Sequence, residues 1–283
     1  MGWRTRKMEK QKIVEIKEKI KRNIFVRIIL TPFMKIIYKR KYNVYLSSDD
    51  VTFIKTLKGY KNNKRCFIVC NGPSLNPKDL DLIKDEFSFA FNRIYYIFNQ
   101  TEWRPSCYVS VDKDVIEMNA NEIENIDVPL KLIDSYAANF LNKKNNIHFI
   151  HSKDGFIVKP FSDKNINYSF DLSEGYCDGG TVTYVAIQIA MYMGFKEIYL
   201  MGADHNYNVF RKSNGKTYKD DTVTNYFRGL NSTGITSVDI DRTTAAYKKA
   251  KEECGKKNVV IYNATRGGKL EVFERIELNT LFD

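Results

Sequence analysis

The sequence predicts an α/β protein built on a Rossmann-like, mostly parallel sheet. Short apolar runs alternate along the chain with helical patterns, which is the arrangement that produces parallel βαβ units. The apolar runs stop on polar side chains, as strands do when their carboxyl ends border a ligand crevice. Hydrophobic residues make up 43% and charged residues 28% of the 283 residues, a composition typical of a globular protein rather than a disordered chain.

The net charge of +11 is confined to one end of the chain. Residues 1–43 hold 14 Lys and Arg against 3 Asp and Glu, so the remaining residues are neutral overall. A nucleic-acid-binding domain usually spreads its positive charge over the folded body, and no nucleic-acid partner is therefore expected.

Residues 1–43 are predicted to form a basic amphipathic helical arm. Ile13, Ile16, Ile20 and Ile24 recur at helical spacing with Lys and Arg between them, and Pro32 is expected to break or kink the helix. Such a helix is typical of a membrane-surface element drawn to anionic lipids. Packing of the arm on the body, or on a partner subunit, stays open as the alternative.

The same region predicts a peripheral protein of the cytoplasm, at the inner face of the membrane. The apolar stretch from Ile24 to Tyr38 is interrupted by charges and is shorter than the roughly 20 residues of a spanning helix. No signal-peptide cleavage pattern follows it. Five cysteines without a disulfide or metal-like spacing fit a reducing compartment, and Cys66 and Cys70 are expected in the core.

A connector over residues 44–63, with a short helix around Val51 to Leu57, leads into a catalytic domain over residues 64–283. Its first strand, Arg65 to Cys70, runs into a turn of small and polar residues, Asn71-Gly72-Pro73-Ser74. A helix near Pro77 to Ile83 follows. Four further strands are then predicted: Ser88 to Phe91, Cys107 to Val111, Leu130 to Ile133 and Ile147 to Ile150. They end in Asn92, Asp112, Asp134 and His151, which should meet around one crevice.

The second half begins with Gly179-Gly180-Thr181 and a helix from Thr181 to Met193 that is apolar on all sides and should be buried. Its start offers backbone N–H groups as a phosphate seat, or is capped by Asp178 or Thr181. A strand from Glu197 to Met201 then leads into Gly202-Ala203-Asp204-His205. Residues 206–240 are predicted to form a lid, followed by a helix from Arg242 to Cys254 and a strand from Val259 to Tyr262.

Four of these segments, in order, resemble one family. Phe67-Ile68-Val69-Cys70-Asn71-Gly72-Pro73-Ser74-Leu75 is similar to the opening of small bacterial sialyltransferases that use CMP-sialic acid. The wider MptE-like group, with Maf-type flagellin glycosyltransferases and a hydroxymethylpterin diphosphokinase, shares it. The other matching segments are Phe89 to Asn92, Val109 to Asp112, and Gly179 to Thr181 with the passage from Gly194 to Asp204. The resemblance covers about residues 64–270.

The resemblance implies a GT-A-like variant fold that binds a CMP-sugar donor without a metal or any other cofactor. In it, Asn71, Gly72, Ser74 and Asn92 would hold the CMP moiety, and Gly180 and Thr181 would meet ribose or phosphate. Lid tyrosines would hydrogen-bond the departing phosphate, with Tyr218 and Tyr226 as the candidates.

The sequence departs from the family at the position of the catalytic base. Leu230 stands where the sialyltransferases carry a His in the lid. His205 is the leading substitute, with a structural His as the alternative reading, and Asp112 comes next. Asp112 and Asp204 could instead bind Mg²⁺, which would favour pyrophosphate chemistry.

The resemblance therefore implies a glycosyltransferase that moves a nonulosonic-acid-type sugar (sialic acid or a relative) from CMP to a bacterial surface glycan or lipid-linked glycan. A Mg²⁺-dependent diphosphokinase or other phosphotransferase on the same fold is the main alternative. A membrane-peripheral scaffold without catalysis is a third. Homo-oligomerisation is left open.

Overall fold

The computed structural model describes residues 24–144, 146–154, 165–212, 215–227 and 237–282. Several predictions lie outside the described residues: the helical spacing of Ile13, Ile16 and Ile20, and the position of Leu230.

The described residues form seven α-helices, two of which, between the third and fourth strands of the chain, were not predicted from the sequence. They are α1 (Ile24–Leu46), α2 (Asp49–Thr56), α3 (Pro77–Leu82), α4 (Lys113–Met118), α5 (Ala120–Asn125), α6 (Val182–Tyr192) and α7 (Ile240–Gly255). The strands of the first half match the predicted runs to within one residue. They are β1 (Arg65–Val69), β2 (Ser88–Phe91), β3 (Cys107–Ser110), β4 (Leu130–Asp134) and β5 (Ile147–Ile150). The later strands are β6 (Glu197–Met201), β7 (Val209–Arg211), β8 (Thr217–Lys219), β9 (Val238–Asp239), β10 (Val260–Asn263) and β11 (Glu274–Arg275).

The main sheet has eight strands in the order β11-β10-β6-β1-β2-β3-β4-β5. Each of its neighbouring pairs is parallel, so the predicted Rossmann-like fold class is confirmed. From β1 the chain moves strand by strand to β5 and then returns to place β6 on the other side of β1. The strand order thus reverses between β1 and β6, the point at which open α/β sheets bind ligands.

The sheet is covered on both faces. Successive residues of a strand point to opposite sides, so apolar residues along one strand can pack on both faces. In β1, Cys66 and Ile68 pack with the cluster that contains α6, whereas Phe67 and Val69 pack with the cluster on the other face. Cys66 and Cys70 are buried, as predicted. Every residue of α6 except Met191 is buried, in agreement with its largely apolar sequence.

Helix α1 is longer and more closely packed than predicted. It runs through Pro32 without a break and contains the position of the predicted boundary at residue 43. Its second half packs on the end of β5, where the Tyr38 hydroxyl donates to the Ser152 carbonyl at 2.7 Å. The Tyr45 ring stacks on His151 with centroids 5.3 Å apart. This part of the arm is therefore a component of the folded body, the alternative that the sequence left open.

The predicted lid contains a small separate sheet in the order β8-β7-β9. The lid is attached to the body at Phe227, whose amide donates to the Asn71 carbonyl at 3.0 Å. Among the described residues, no helix combines the length and apolarity needed to cross a bilayer.

Candidate functional site

A cleft of about 1220 Å³ opens at the carboxyl edge of the main sheet. Polar residues that end or follow β1 to β5 line this cleft together. They are Asn71, Asn92, Asp112, Asp134 and His151. The turn after β6 adds Asp204 and His205. The polar ends of the strands therefore lie around one cleft, as predicted.

The turns after β1 and β6 form one hydrogen-bonded unit at the reversal of strand order. The Gly72 amide donates to the Gly202 carbonyl at 3.0 Å, and the Ser74 hydroxyl donates to Asp204 Oδ2 at 2.7 Å. A Cβ on Gly72 would lie 1.9 Å from Asp204 Oδ2, so only glycine allows this close approach. Ser74 lies outside the lining of the cleft. The structure shows Ser74 as a hydrogen-bond partner of Asp204, and its contact with a nucleotide stays a prediction.

Two asparagines present unpartnered amide oxygens in this cleft. The Asn71 Nδ2 donates to the Phe91 carbonyl at 2.9 Å, which fixes the amide orientation and leaves Oδ1 buried without a hydrogen bond. The Asn92 Oδ1 is likewise buried without a partner. Asn92 adopts a left-handed backbone (φ 55°), which asparagine tolerates better than most residues. Buried polar atoms without partners are costly and rare, so these two oxygens point to a ligand that donates hydrogen bonds.

The His205 ring has one nitrogen engaged and one free. Its Nε2 lies 2.8 Å from Thr244 Oγ1, and the Thr244 hydroxyl donates its own hydrogen to the Ile240 carbonyl at 2.7 Å. Thr244 must then accept from His205, which places the ring proton on Nε2. Because the proton is on Nε2, Nδ1 carries a lone pair. This buried atom has no hydrogen-bond partner among the described residues.

The surroundings of His205 keep the ring neutral. The side chain is 8% exposed, and burial lowers its pKa from 6.5 to about 4. The rings of Tyr207 and Tyr247 meet it edge-on, with centroids 5.8 and 5.5 Å away. At pH 7 the Nδ1 atom is thus a hydrogen-bond acceptor, held in a fixed orientation.

The two carboxylates proposed from sequence have structural partners. Asp112 is exposed and caps α4, where its Oδ1 accepts from the amides of Asp114 and Val115 at 2.9 and 3.2 Å. Asp204 accepts from the hydroxyl and the amide of Ser74, and burial raises its pKa. Within the described ranges, no group of three or more His, Cys, Asp or Glu side chains is arranged to hold a metal ion.

The start of α6 is capped rather than open. The Gly180 amide donates to Asp178 Oδ1 at 2.8 Å, and the Thr181 hydroxyl accepts from the Thr183 amide at 3.4 Å. Gly180 and Thr181 still line the cleft. Two of the amides expected to bind a phosphate at the Gly-Gly-Thr sequence thus donate to side chains of the protein. The structure shows the capping that the sequence left open as the alternative.

The two candidate lid tyrosines are in different places. Tyr226 is half-buried and lines the cleft, and burial raises the pKa of its hydroxyl. Tyr218 lies on β8, is 36% exposed and stacks on Phe210, outside the lining of the cleft. The strand that carries Tyr218 pairs within the small lid sheet, so the structure brings Tyr226, and not Tyr218, to the lining of the cleft.

The sequence reasoning missed one wall of the cleft, which belongs to α1. Ile37, Arg40, Lys41 and Val44 all line it. Their spacing, i, i+3, i+4 and i+7, places them on one face of a helix. That spacing is visible in the sequence, but nothing local to it shows that the face borders the strand ends.

The family model for 6-hydroxymethylpterin diphosphokinase MptE-like proteins matches residues 42–209. This span includes the turns after β1 and β6 and ends before the lid tyrosines. A search of curated proteins returned no match. The solved structures with a match include the MAf glycosyltransferase from Magnetospirillum magneticum AMB-1, with 12% identity and a TM-score of 0.47 over 79% of this chain. This chain spans only 35% of that protein.

Proposed function

Because the chain belongs to the 6-hydroxymethylpterin diphosphokinase MptE-like family, we propose that it is a transferase whose nucleotide substrate binds between the turns of β1 and β6. More specifically, we propose a glycosyltransferase that moves a nonulosonic-acid-type sugar from a CMP donor to a bacterial surface glycan. The four sequence segments that resemble the sialyltransferases support this choice, and the chemistry of the cleft supports it independently.

The observation that carries the proposal is the set of unpartnered acceptor atoms in the cleft. Asn71 Oδ1, Asn92 Oδ1 and His205 Nδ1 can each accept a hydrogen bond and cannot donate one. A ligand with hydrogen-bond donors at this end of the cleft would satisfy these atoms. The amino group of cytosine and the hydroxyls of ribose and sugar are such donors, whereas phosphate oxygens are not.

The charges around the cleft favour a donor with few phosphate charges. Its lining contains six aspartates among the described residues, and its only lysines and arginines there are Arg40, Lys41 and Lys113. A CMP-sugar carries a phosphodiester and the carboxylate of the sugar, whereas ATP carries a triphosphate. Two of these aspartates are paired, Asp50 with Lys143 and Asp178 with Arg242. Because carboxylates repel an added anion, the smaller charge of a CMP-sugar is accommodated more easily.

In this proposal two residues of the cleft take part in a nucleophilic displacement at the anomeric carbon of the donor sugar. The acceptor hydroxyl oxygen bonds to the anomeric carbon as the bond from that carbon to the phosphate oxygen breaks, so that CMP leaves and the configuration inverts. Tyr226 keeps its proton because burial raises its pKa, and it donates to the departing phosphate. His205 Nδ1 accepts the hydrogen bond of the acceptor hydroxyl and takes its proton as the hydroxyl becomes acidic during attack.

The diphosphokinase in the family's description is the second candidate. It would need Asp112 and Asp204 to hold Mg²⁺. Each of these carboxylates already accepts two hydrogen bonds from the protein, one pair capping α4 and the other joining the turns of β1 and β6. In both carboxylates the bonds go to one oxygen, Oδ1 of Asp112 and Oδ2 of Asp204, so a divalent cation would have to use the other oxygen of each.

Thermal unfolding with CMP, UMP and ATP, each with and without Mg²⁺, tests the proposal. CMP at about 100 times its Kd should add roughly 2.7 kcal/mol of stability without Mg²⁺. UMP should add less, because the uracil carbonyl cannot donate to the asparagine oxygens. Stabilisation only by ATP with Mg²⁺ would refute the CMP-sugar donor and favour the diphosphokinase.

A pair of matched variants locates the binding site. Asn92→Gly removes the amide and keeps a residue that tolerates the left-handed backbone. Asn258 has the same φ of 55°, is exposed and lies away from the cleft, so Asn258→Gly is the control. CMP should stabilise the control but not Asn92→Gly. Equal stabilisation of both would contradict the placement of the nucleotide.

A further inference from the structure

One face of α1 forms the open mouth of the cleft. It consists of Ile37, Arg40, Lys41 and Val44, and is called the mouth face below. All four side chains line the cleft and all are exposed, with Ile37 and Val44 at 49% and 74%. Large apolar side chains with this exposure at the entrance of a cleft are typical of a binding surface.

The mouth face is held in a fixed position on the body. Tyr38 and Tyr45, on the adjacent side of α1, pack against the His151 ring with centroids 5.3 Å away in both cases. The hydroxyls of Tyr38 and Tyr42 donate to the carbonyls of Ser152 and Glu174 at 2.7 and 2.9 Å. The mouth face is therefore a wall of the site rather than part of a free arm.

The charge of α1 has one sign. Its sequence holds five Lys and Arg residues and no Asp or Glu. Arg40 and Lys41 form no ion pair or hydrogen bond with another described residue. None of the aspartates in the lining lies on α1. The mouth face thus combines two apolar and two cationic side chains within two helical turns, which complements a ligand with an anionic group next to hydrocarbon.

We propose that the mouth face is the acceptor subsite and that it binds an anionic, lipid-linked acceptor at a bilayer surface. The hydrocarbon of the lipid contacts Ile37 and Val44, its phosphate lies by Arg40 and Lys41, and the attached glycan extends into the cleft toward His205. This inference rests on the proposed glycosyltransferase function, because only that function requires an acceptor.

A site-specific label tests whether the mouth face enters lipid. The full chain with Val44→Cys is labelled with an environment-sensitive fluorophore, which is selective because all five native cysteines are buried. The control is Val260→Cys, which is 44% exposed at the amino end of β10, opposite the cleft. Vesicles containing phosphatidylglycerol should shift the emission at position 44 to the blue and leave position 260 unchanged. No shift at position 44, or equal shifts at both, would overturn the proposal.

Charge variants test the anionic part of the ligand. Arg40→Gln/Lys41→Gln should weaken binding to phosphatidylglycerol vesicles by about 25-fold, at about fivefold per cation. Lys84→Gln/Lys248→Gln removes the same charge from exposed positions away from α1 and should change binding less than threefold. Equal losses in the two variants would assign the binding to net charge and refute the mouth face as a subsite.

Two further measurements complete the test. Millimolar inorganic phosphate should not displace the vesicles; displacement would show a simple anion site and overturn the lipid part of the proposal. The stabilisation by CMP is measured on the same variants and should persist. If CMP binds and vesicles do not, the acceptor inference fails alone. If CMP does not bind, the proposed donor fails whatever the vesicles do.

Discussion

The neutral His205 ring makes the stability of the protein depend on pH in a calculable way. Its pKa is 6.5 when exposed and about 4 in the folded protein, because burial disfavours the charged ring. Between these values the unfolded chain binds a proton that the folded chain does not, so stability falls as the pH is lowered. The loss attributable to this one group is about 2 kcal/mol between pH 7 and pH 5, and about 3 kcal/mol by pH 4.

The measurement is urea unfolding of the wild type and of His205→Asn at pH 7 and pH 5. Asparagine suits the left-handed backbone of this residue (φ 50°) and does not titrate. Other groups titrate equally in the two proteins, so their effects cancel in the comparison. The wild type should lose about 2 kcal/mol more than the variant on going to pH 5.

A direct titration provides the decisive control. The chain has three histidines, so the imidazole resonance lost in His205→Asn identifies His205 in the NMR spectrum of the wild type. That resonance should still report a neutral ring at pH 5. A midpoint near 6.5, or equal pH dependence of the two proteins, would refute the account of a buried neutral ring whose Nδ1 is free to accept.

Three further perturbations follow from the cleft. Gly72→Ala should destabilise the protein by about 2–3 kcal/mol in urea unfolding, because the new Cβ displaces the Asp204 carboxylate and breaks its bonds; unchanged stability would mean that the two turns are not tightly joined. Tyr226→Phe should lower turnover of a CMP-sugar about 10²-fold while Tyr218→Phe leaves it unaltered, and the reverse order would move the leaving-group donor to Tyr218. Deletion of residues 1–43 should cost about 2–4 kcal/mol of stability, since it removes tyrosines packed on the body; an intact unfolding midpoint would show that the arm is dispensable for folding.

Seven of the eight strands of the main sheet were predictable because they are largely buried on both faces, whereas β11 is a two-residue exposed strand that no apolar run marks. Strands buried on both faces appear in the sequence as short, continuous apolar runs, and β2 and β5 begin and end at the predicted residues. The gathering of Asn71, Asn92 and Asp112 at one edge was predictable for the same reason. Once the strands are parallel, their carboxyl ends must share an edge, whatever the details of packing.

Other parts of the site depended on contacts that no local pattern contains. Tyr38 meets Ser152 across 114 residues of sequence, so the sequence around Tyr38 could not show that α1 borders the cleft. Tyr218 was assigned to the cleft from its place in the lid, but strand pairing within the lid turns it toward Phe210. Ser74 was assigned to the nucleotide from its turn, but it reaches Asp204, 130 residues away.

His205 shows most clearly where the two kinds of information divide. The sequence by itself determined that a histidine follows β6, at the edge where the polar strand ends meet, because strand position and parallel pairing are encoded in local apolar runs. Only the tertiary structure decided its chemical state. Thr244 on α7 fixes the proton on Nε2, and burial among elements from distant parts of the chain keeps the ring neutral. Protonation depends on the full three-dimensional surroundings of a group, and those exist only after the chain has folded.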